Sequence, residues 1–167
     1  WRVNQFIPPR GMIGIFNRSH YEDVLVVRVR RLAPTQVWQP RFRQINDFER
    51  MLTENGVVVL KFFLHVSKEE QREQLLERLH DPAKNWKFRP GDLEDRELWT
   101  EYTRAYRDAI RKCSTPWAPW YVVPSDHRTS RDYLITKIIN EKLGSLRLRY
   151  PRAGPKVLAL EAELKSD

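Results

Sequence analysis

At 167 residues with 41% hydrophobic content, the chain is long enough for one domain with a real core and too short to be read as two. Its 30 lysines and arginines against 22 aspartates and glutamates give a formal net charge of +8, which favours a polyanionic partner without choosing among nucleic acid, nucleotide, polyphosphate and an anionic membrane surface. The single cysteine, Cys113, excludes an internal disulfide, no apolar run approaches the roughly 20 residues that span a bilayer, and nothing resembles a secretory leader, so a cytoplasmic protein is expected.

The first expected element is a buried parallel strand over Met12–Phe16, which ends abruptly in Asn17-Arg18-Ser19-His20-Tyr21-Glu22-Asp23. Such strand ends deliver functional side chains to the sheet edge where ligands bind. The Asn17 amide can accept a hydrogen bond or coordinate weakly, but it lacks the charge that concentrates a divalent cation. Arg18 offers a planar fork to phosphate oxygens, and Glu22 and Asp23 follow one turn later. The structural alternative is that Asn17 caps the turn and the two acids favour a helix start. Tyr21 to Arg31 is read as helix despite the β-branched character of Val24-Leu25-Val26-Val27.

Apolar residues at helical spacing (Phe42, Ile45, Phe48, Met51, Leu52) predict a helix from Pro40 to Asn55, with Gly56 as its stop. The second and longest expected strand is Val57–Val66. Ser67-Lys68-Glu69-Glu70 is a capping box opening a helix that carries Leu75, Leu76 and Leu79. From Pro82 to Asp92, the cations Lys84, Lys87 and Arg89 alternate with Trp86 and Phe88. This composition suits a loop that closes over a polyanion, a surface that stacks single-stranded bases, or an ordinary solvated connector.

A third helix is predicted from about Asp92 to Cys113, with Leu98, Tyr102, Ala105 and Ala109 on one stripe and Trp99, Tyr106 and Ile110 beside it. Cys113, Trp99, Trp117 and Trp120 read as packing residues. Trp120–Val123 is the third strand, and Asp126, His127, Arg128 and Arg131 follow it. The two arginines, three residues apart, would face the same way on a beginning helix, while Asp126 and Thr129 could simply cap it. The last full helix runs from about Thr129 to Leu143 with Gly144 as its stop. Residues 151–167 form an extension, helical turn or fray, to a domain over 1–150. Neither His20 nor His127 has a partner at metal-ligand spacing, so zinc is not expected. The alternation of β-rich runs and helical patterns implies an α/β fold with Asn17–Glu22, Ser67–Glu70 and Ser125–Arg131 along one carboxyl edge.

The stretches IPPRGMIGIFNRSHYEDVLVVRV, FERMLTENGVVVLKFFLHVSKEEQ, RLHDPAKNWKF, LWTEYTRAYRDAI and APWYVVPSDHRTSRDYLITKII closely resemble the polyphosphate kinase 2 family, in its branch that phosphorylates AMP and ADP. The resemblance implies a P-loop kinase-like, three-layer α/β fold with a parallel sheet. It also implies a mobile lid and Mg²⁺-dependent transfer of the terminal phosphoryl group of polyphosphate to AMP or ADP, in a protein that can form a homodimer or homotetramer. It assigns Asn17 and Arg18 to the Walker-B position as catalytic residues, with Asn17 in indirect contact with metal, where many members carry Asp. Glu22 is placed near the acceptor nucleotide, and Lys84, Trp86, Lys87 and Arg96 in the lid. Asp126 and Arg131 match the segment after the last strand, and Arg128 stands where members often have Lys.

Nucleic acid and membrane are not the expected partners of such an enzyme. The family's Walker-A loop, Gly-rich and Lys-bearing, precedes the first of these stretches and has no equivalent in the 167 residues. The expectation is therefore the C-terminal portion of a longer enzyme, its sheet incomplete at the N-terminus and inactive by itself. The alternative is a non-catalytic module that binds polyphosphate or nucleic acid.

Overall fold

A computed structural model describes residues 2–165, leaving Trp1, Ser166 and Asp167 outside it. The chain divides into two compact units, Trp1–Arg131 and Asp132–Asp167. In the first unit a 3₁₀ turn, Arg2–Phe6, leads into the run Met12–Phe16. This run is not a strand: it pairs with neither strand of the only sheet among the described residues. Ile13 and Ile15 are 74% and 93% exposed. Apolar, β-branched composition favours a strand only where a neighbouring backbone is present to complete the ladder.

A 3₁₀ turn over His20–Asp23 is followed by α1 (Val26–Val29), so the helix expected from Tyr21 to Arg31 is two short pieces. It closes where Arg31 takes a left-handed backbone, φ 54°. There the Leu32 N–H reaches the Val27 carbonyl at 2.9 Å, the helix-terminating geometry usually given to glycine. After α2 (Thr35–Trp38) comes α3 (Arg41–Glu54). It ends as the sequence predicts, with Gly56 at φ 84° and the Val57 N–H donating to the Leu52 carbonyl at 3.0 Å.

Strand β1 (Lys61–His65) occupies only the second half of the run expected from Val57. The helix α4 (Lys68–His80) follows, then a 3₁₀ turn at Asn85–Lys87. The single helix predicted to Cys113 is two, α5 (Pro90–Glu97) and α6 (Trp99–Cys113), broken at Leu98. Pro90 in the first turn fixes the start of α5, and the Asp92 carboxylate accepts the Arg89 N–H at 3.1 Å. Strand β2 (Trp120–Pro124) pairs parallel to β1 in the register Lys61↔Trp120 to His65↔Pro124. Both strands therefore end at one edge, where α4 and α7 (Arg128–Ser145) begin.

The core of this unit joins Tyr21, Val24, Leu25 and Val29 to Phe42 and Ile45 of α3 and Ala105, Ala109 and Cys113 of α6. The small residues on α6 recur every fourth position, which lets the larger side chains of α1 and α3 seat against it. The Cys113 thiol is fully buried, its Sγ 3.6 Å from the Phe42 carbonyl oxygen, and burial pushes it up to about 11.

In the second unit α7 continues through Gly144, the expected stop, to Ser145, and Arg147 takes the left-handed conformation, φ 50°. Helix α8 covers Pro155–Leu164. Among the described residues no helix is long and apolar enough to cross a membrane.

Candidate active site

The turn that carries Arg18 and Glu22 is built from both ends. Ser19 accepts the Tyr21 N–H on its hydroxyl at 3.4 Å, and the Glu22 N–H reaches the Ser19 carbonyl at 3.2 Å. Tyr21 is buried beneath this turn, while Asn17 and Arg18 are exposed and Glu22 is half-buried. Arg18 and Glu22 both act on the Tyr106 hydroxyl of α6. Burial raises its pKa first, the Glu22 carboxylate raises it further, and the Arg18 guanidinium opposes them. The Tyr106 ring stacks on Phe63 of β1 with centroids 4.6 Å apart. The stacking places Tyr106 against β1, and the charges of both Arg18 and Glu22 are felt there. The neighbouring acid, Asp23, is held at 2.6 Å by Arg41.

The ends of the two strands are tied together by Asp126, whose carboxylate accepts the Ser67 N–H at 2.7 Å. Ser67 in turn caps α4 by accepting the Glu70 N–H on its hydroxyl at 3.0 Å. Half of the expected capping box forms, and the other half is replaced, because Asp126 takes the donor that Glu70 would have taken. Glu70 accepts from Gln74 instead, at 2.8 Å. A cavity of about 240 Å³ opens here, lined by His65, Ser67, Ser125, Asp126, His127 and Ser130.

The remaining expected residues gather around α4. Arg96 donates to the Lys68 carbonyl at 2.7 Å and to Gln71 at 2.9 Å, which fastens α5 to the first turn of α4. Lys84 contacts Asp81 at 2.8 Å, and this hydrogen bond raises the Lys84 pKa. One carboxylate, Glu77, lies 3.7 Å from Lys84 and 3.4 Å from Arg128. Trp86 is 74% exposed, with its indole N–H on the Ala83 carbonyl and Lys87 Nζ 5.1 Å from its ring centroid. Arg131 is half-buried in the first turn of α7. Asn17, Arg18 and Glu22 thus form one group and Lys84, Arg96, Asp126 and Arg128 a second, the latter organised by α4.

Two features escaped the sequence reading. Tyr106, placed by its spacing beside the apolar stripe of the helix, has a pKa that responds to the charges of Glu22 and Arg18. The larger omission is a buried polar cluster: Lys61 Nζ lies 2.6 Å from Glu49, 2.9 Å from the Tyr21 hydroxyl and 2.6 Å from the Cys113 carbonyl. The signals were present, since Lys61 interrupts an otherwise apolar strand run and Glu49 follows Ile45 by one helical turn on the buried face of α3. Among the described residues no three His, Cys, Asp or Glu side chains converge on a metal position.

The family model for polyphosphate kinase 2 matches residues 1–149. The chain belongs to the polyphosphate kinase 2 family. It is 57% identical over 152 residues to the AMP/ADP-polyphosphate phosphotransferase of Meiothermus ruber, covering 91% of this chain and 57% of that protein. It is 40% identical to the ADP-polyphosphate phosphotransferase of Rhodopseudomonas palustris, covering 93% of this chain and 58% of that protein. The crystal structure of polyphosphate kinase 2 from Arthrobacter aurescens superposes with a TM-score of 0.95 at 41% identity, over 100% of this chain and 59% of that one. The fold is accordingly the P-loop kinase-like α/β fold of the family, with a parallel sheet. The chain spans 57% and 58% of the lengths of these two curated relatives.

Proposed function

We propose that the protein is a polyphosphate-dependent nucleotide kinase that transfers the terminal phosphoryl group of inorganic polyphosphate to AMP or ADP. The observation that carries this reading is the 57% identity to a relative named for both acceptors, AMP and ADP. In the proposed reaction an acceptor phosphate oxygen attacks the terminal phosphorus, the bridging P–O bond breaks, and the shortened polyphosphate leaves with the electron pair. Such transfers are accelerated mainly by positioning and charge neutralisation. Arg18 would neutralise charge on the moving group, and Glu22 would place the acceptor. Asn17 would touch the Mg²⁺ carried by the phosphates only indirectly. Lys84, Trp86 and Lys87 would cover the polyanion, Arg128 and Arg131 would contact its phosphates, and Arg96 and Asp126 would hold the surrounding frame.

One observation favours a second reading: the formal net charge of +8 suits a module that binds a polyanion without turning it over. Incubation with polyphosphate, Mg²⁺ and AMP or ADP, followed by quantification of ADP and ATP, separates the readings. The kinase reading expects product from the natively encoded protein and none when Mg²⁺ is withheld. Polyphosphate binding without any nucleotide product from that protein would favour the binding module.

A further inference from the structure

Beneath the Arg18–Glu22 turn lies the cluster of ionisable groups that the proposed reaction does not use. Glu49 is 0% exposed, Tyr21 3% and Lys61 7%. Glu49 accepts from Lys61 at 2.6 Å on one oxygen and from the Tyr21 hydroxyl at 3.0 Å on the other, with His20 Nε2 3.3 Å from that second oxygen. Lys61 also donates to the Cys113 carbonyl at the end of α6, and the Tyr21 ring meets Trp120 of β2 edge-on at 4.8 Å. The cluster therefore joins α3, β1, β2 and the end of α6 to two side chains of the turn, Tyr21 at its centre and His20 at its edge. Apolar residues of similar volume would fill the same space without a desolvation penalty, so the ionic solution is not explained by stability alone. What it adds is direction: hydrogen bonds and a buried charge pair fix the height and orientation of Tyr21, whereas apolar packing leaves rotation and slip.

We infer that Tyr21, Lys61 and Glu49 are positioning residues, a buried strut that holds the Ser19–Asp23 turn and so sets where Glu22 in the turn and Arg18 just before it present their charges. The inference rests on the proposed kinase activity for its catalytic consequence, but the strut itself is measurable without turnover. Two variants test it. Tyr21→Phe keeps the ring on Trp120 and removes the hydroxyl, while the double replacement Glu49→Leu with Lys61→Met substitutes apolar volume for the ion pair.

Amide hydrogen exchange by mass spectrometry reads the turn directly. Peptides covering Ser19–Asp23 are expected to exchange about tenfold faster in both variants, with α3 and α6 unchanged. Turnover is expected to fall about tenfold through kcat with KM for polyphosphate unchanged. In a Glu22→Gln background, Tyr21→Phe is expected to cost less than about twofold more, because both changes act through one geometry. Adding Tyr21→Phe to the double replacement removes the hydroxyl it would strand, and this triple variant separates positioning from stability, since its melting temperature should stay close to that of the parent while its turnover stays low.

Unchanged exchange in the turn overturns the strut, as does turnover that follows melting temperature across the variants. Faster exchange with undiminished turnover overturns the catalytic consequence. If the parent protein makes no nucleotide product, the kinase reading fails, and the exchange measurement still decides the strut.

Discussion

The Asp126 carboxylate accepts the backbone N–H of Ser67 at 2.7 Å, so the segment after β2 caps the helix that follows β1. A carboxylate at this position satisfies an otherwise open donor and lies near the positive end of α4. Asp126→Ala is expected to fray the first turn of α4 and lower the melting temperature modestly, while Asp126→Asn retains much of the bond. Circular dichroism melts of the two variants check this, and equal melts would assign Asp126 no capping role.

Single removal of either partner in the Lys61–Glu49 pair leaves a buried charge without its counter-ion. Glu49→Leu or Lys61→Met alone is expected to cost roughly 3 to 5 kcal/mol, measured by urea unfolding. A cost below about 1 kcal/mol would mean that water reaches the pair and screens it.

Three carboxyl groups are held below their ordinary value of 3.8: Asp108 by the Arg28 guanidinium, Asp81 by the Lys84 ammonium and Asp126 by the Ser67 N–H. A carboxyl with a lowered folded-state value stabilises the fold above its unfolded-state value. That contribution is lost as pH falls through the lowered one. Stability should therefore hold down to about pH 4 and decline below it, and Arg28→Met should move the acid midpoint upward by removing the Asp108 share. The midpoint is read from intrinsic tryptophan fluorescence across an acid titration.

Arg18 is exposed, makes no ion pair among the described residues, and lowers the Tyr106 pKa that Glu22 raises. In the natively encoded protein, Arg18→Ala is expected to lower phosphotransfer about 100-fold or more with an unchanged melting temperature. Near-normal turnover in a coupled ATP assay would remove Arg18 from the proposed chemistry.

Arg30 latches α5 to the segment after α1, meeting Asp95 at 2.7 Å and Glu94 at 3.0 Å while Tyr102 also donates to Asp95. Arg30→Ala should raise hydrogen exchange across α5 and leave β1 and β2 protected. Uniform loss of protection would instead indicate a fold-wide role.

The helices were legible because their signals are local. The α3 stripe, its Gly56 closure and the Ser67 cap each lie within a few residues of the element they define. Strand limits were not legible in the same way. Met12–Phe16 has a strand's composition but no paired neighbour, and Val57–Leu60 lies ahead of the register that begins at Lys61↔Trp120. Pairing is a property of two segments, and one segment's residues carry only half of it. The candidate site divides similarly. Residues of the right chemistry could be named from the sequence, but not the assignment of Asp126 to Ser67 or of Arg96 to Lys68, because those contacts cross 59 and 28 positions.

The shared carboxylate of Glu77 has a consequence for ligand choice. Lys84 and Arg128 already face an anion that belongs to the chain. Any incoming phosphate must compete with that tethered group, which is always present at high local concentration. A lone phosphate has one opportunity to displace it. Under the proposed function, a polymer that returns a neighbouring phosphate each time one is lost would compete with the tether better than a single phosphate, and the contact would favour long chains.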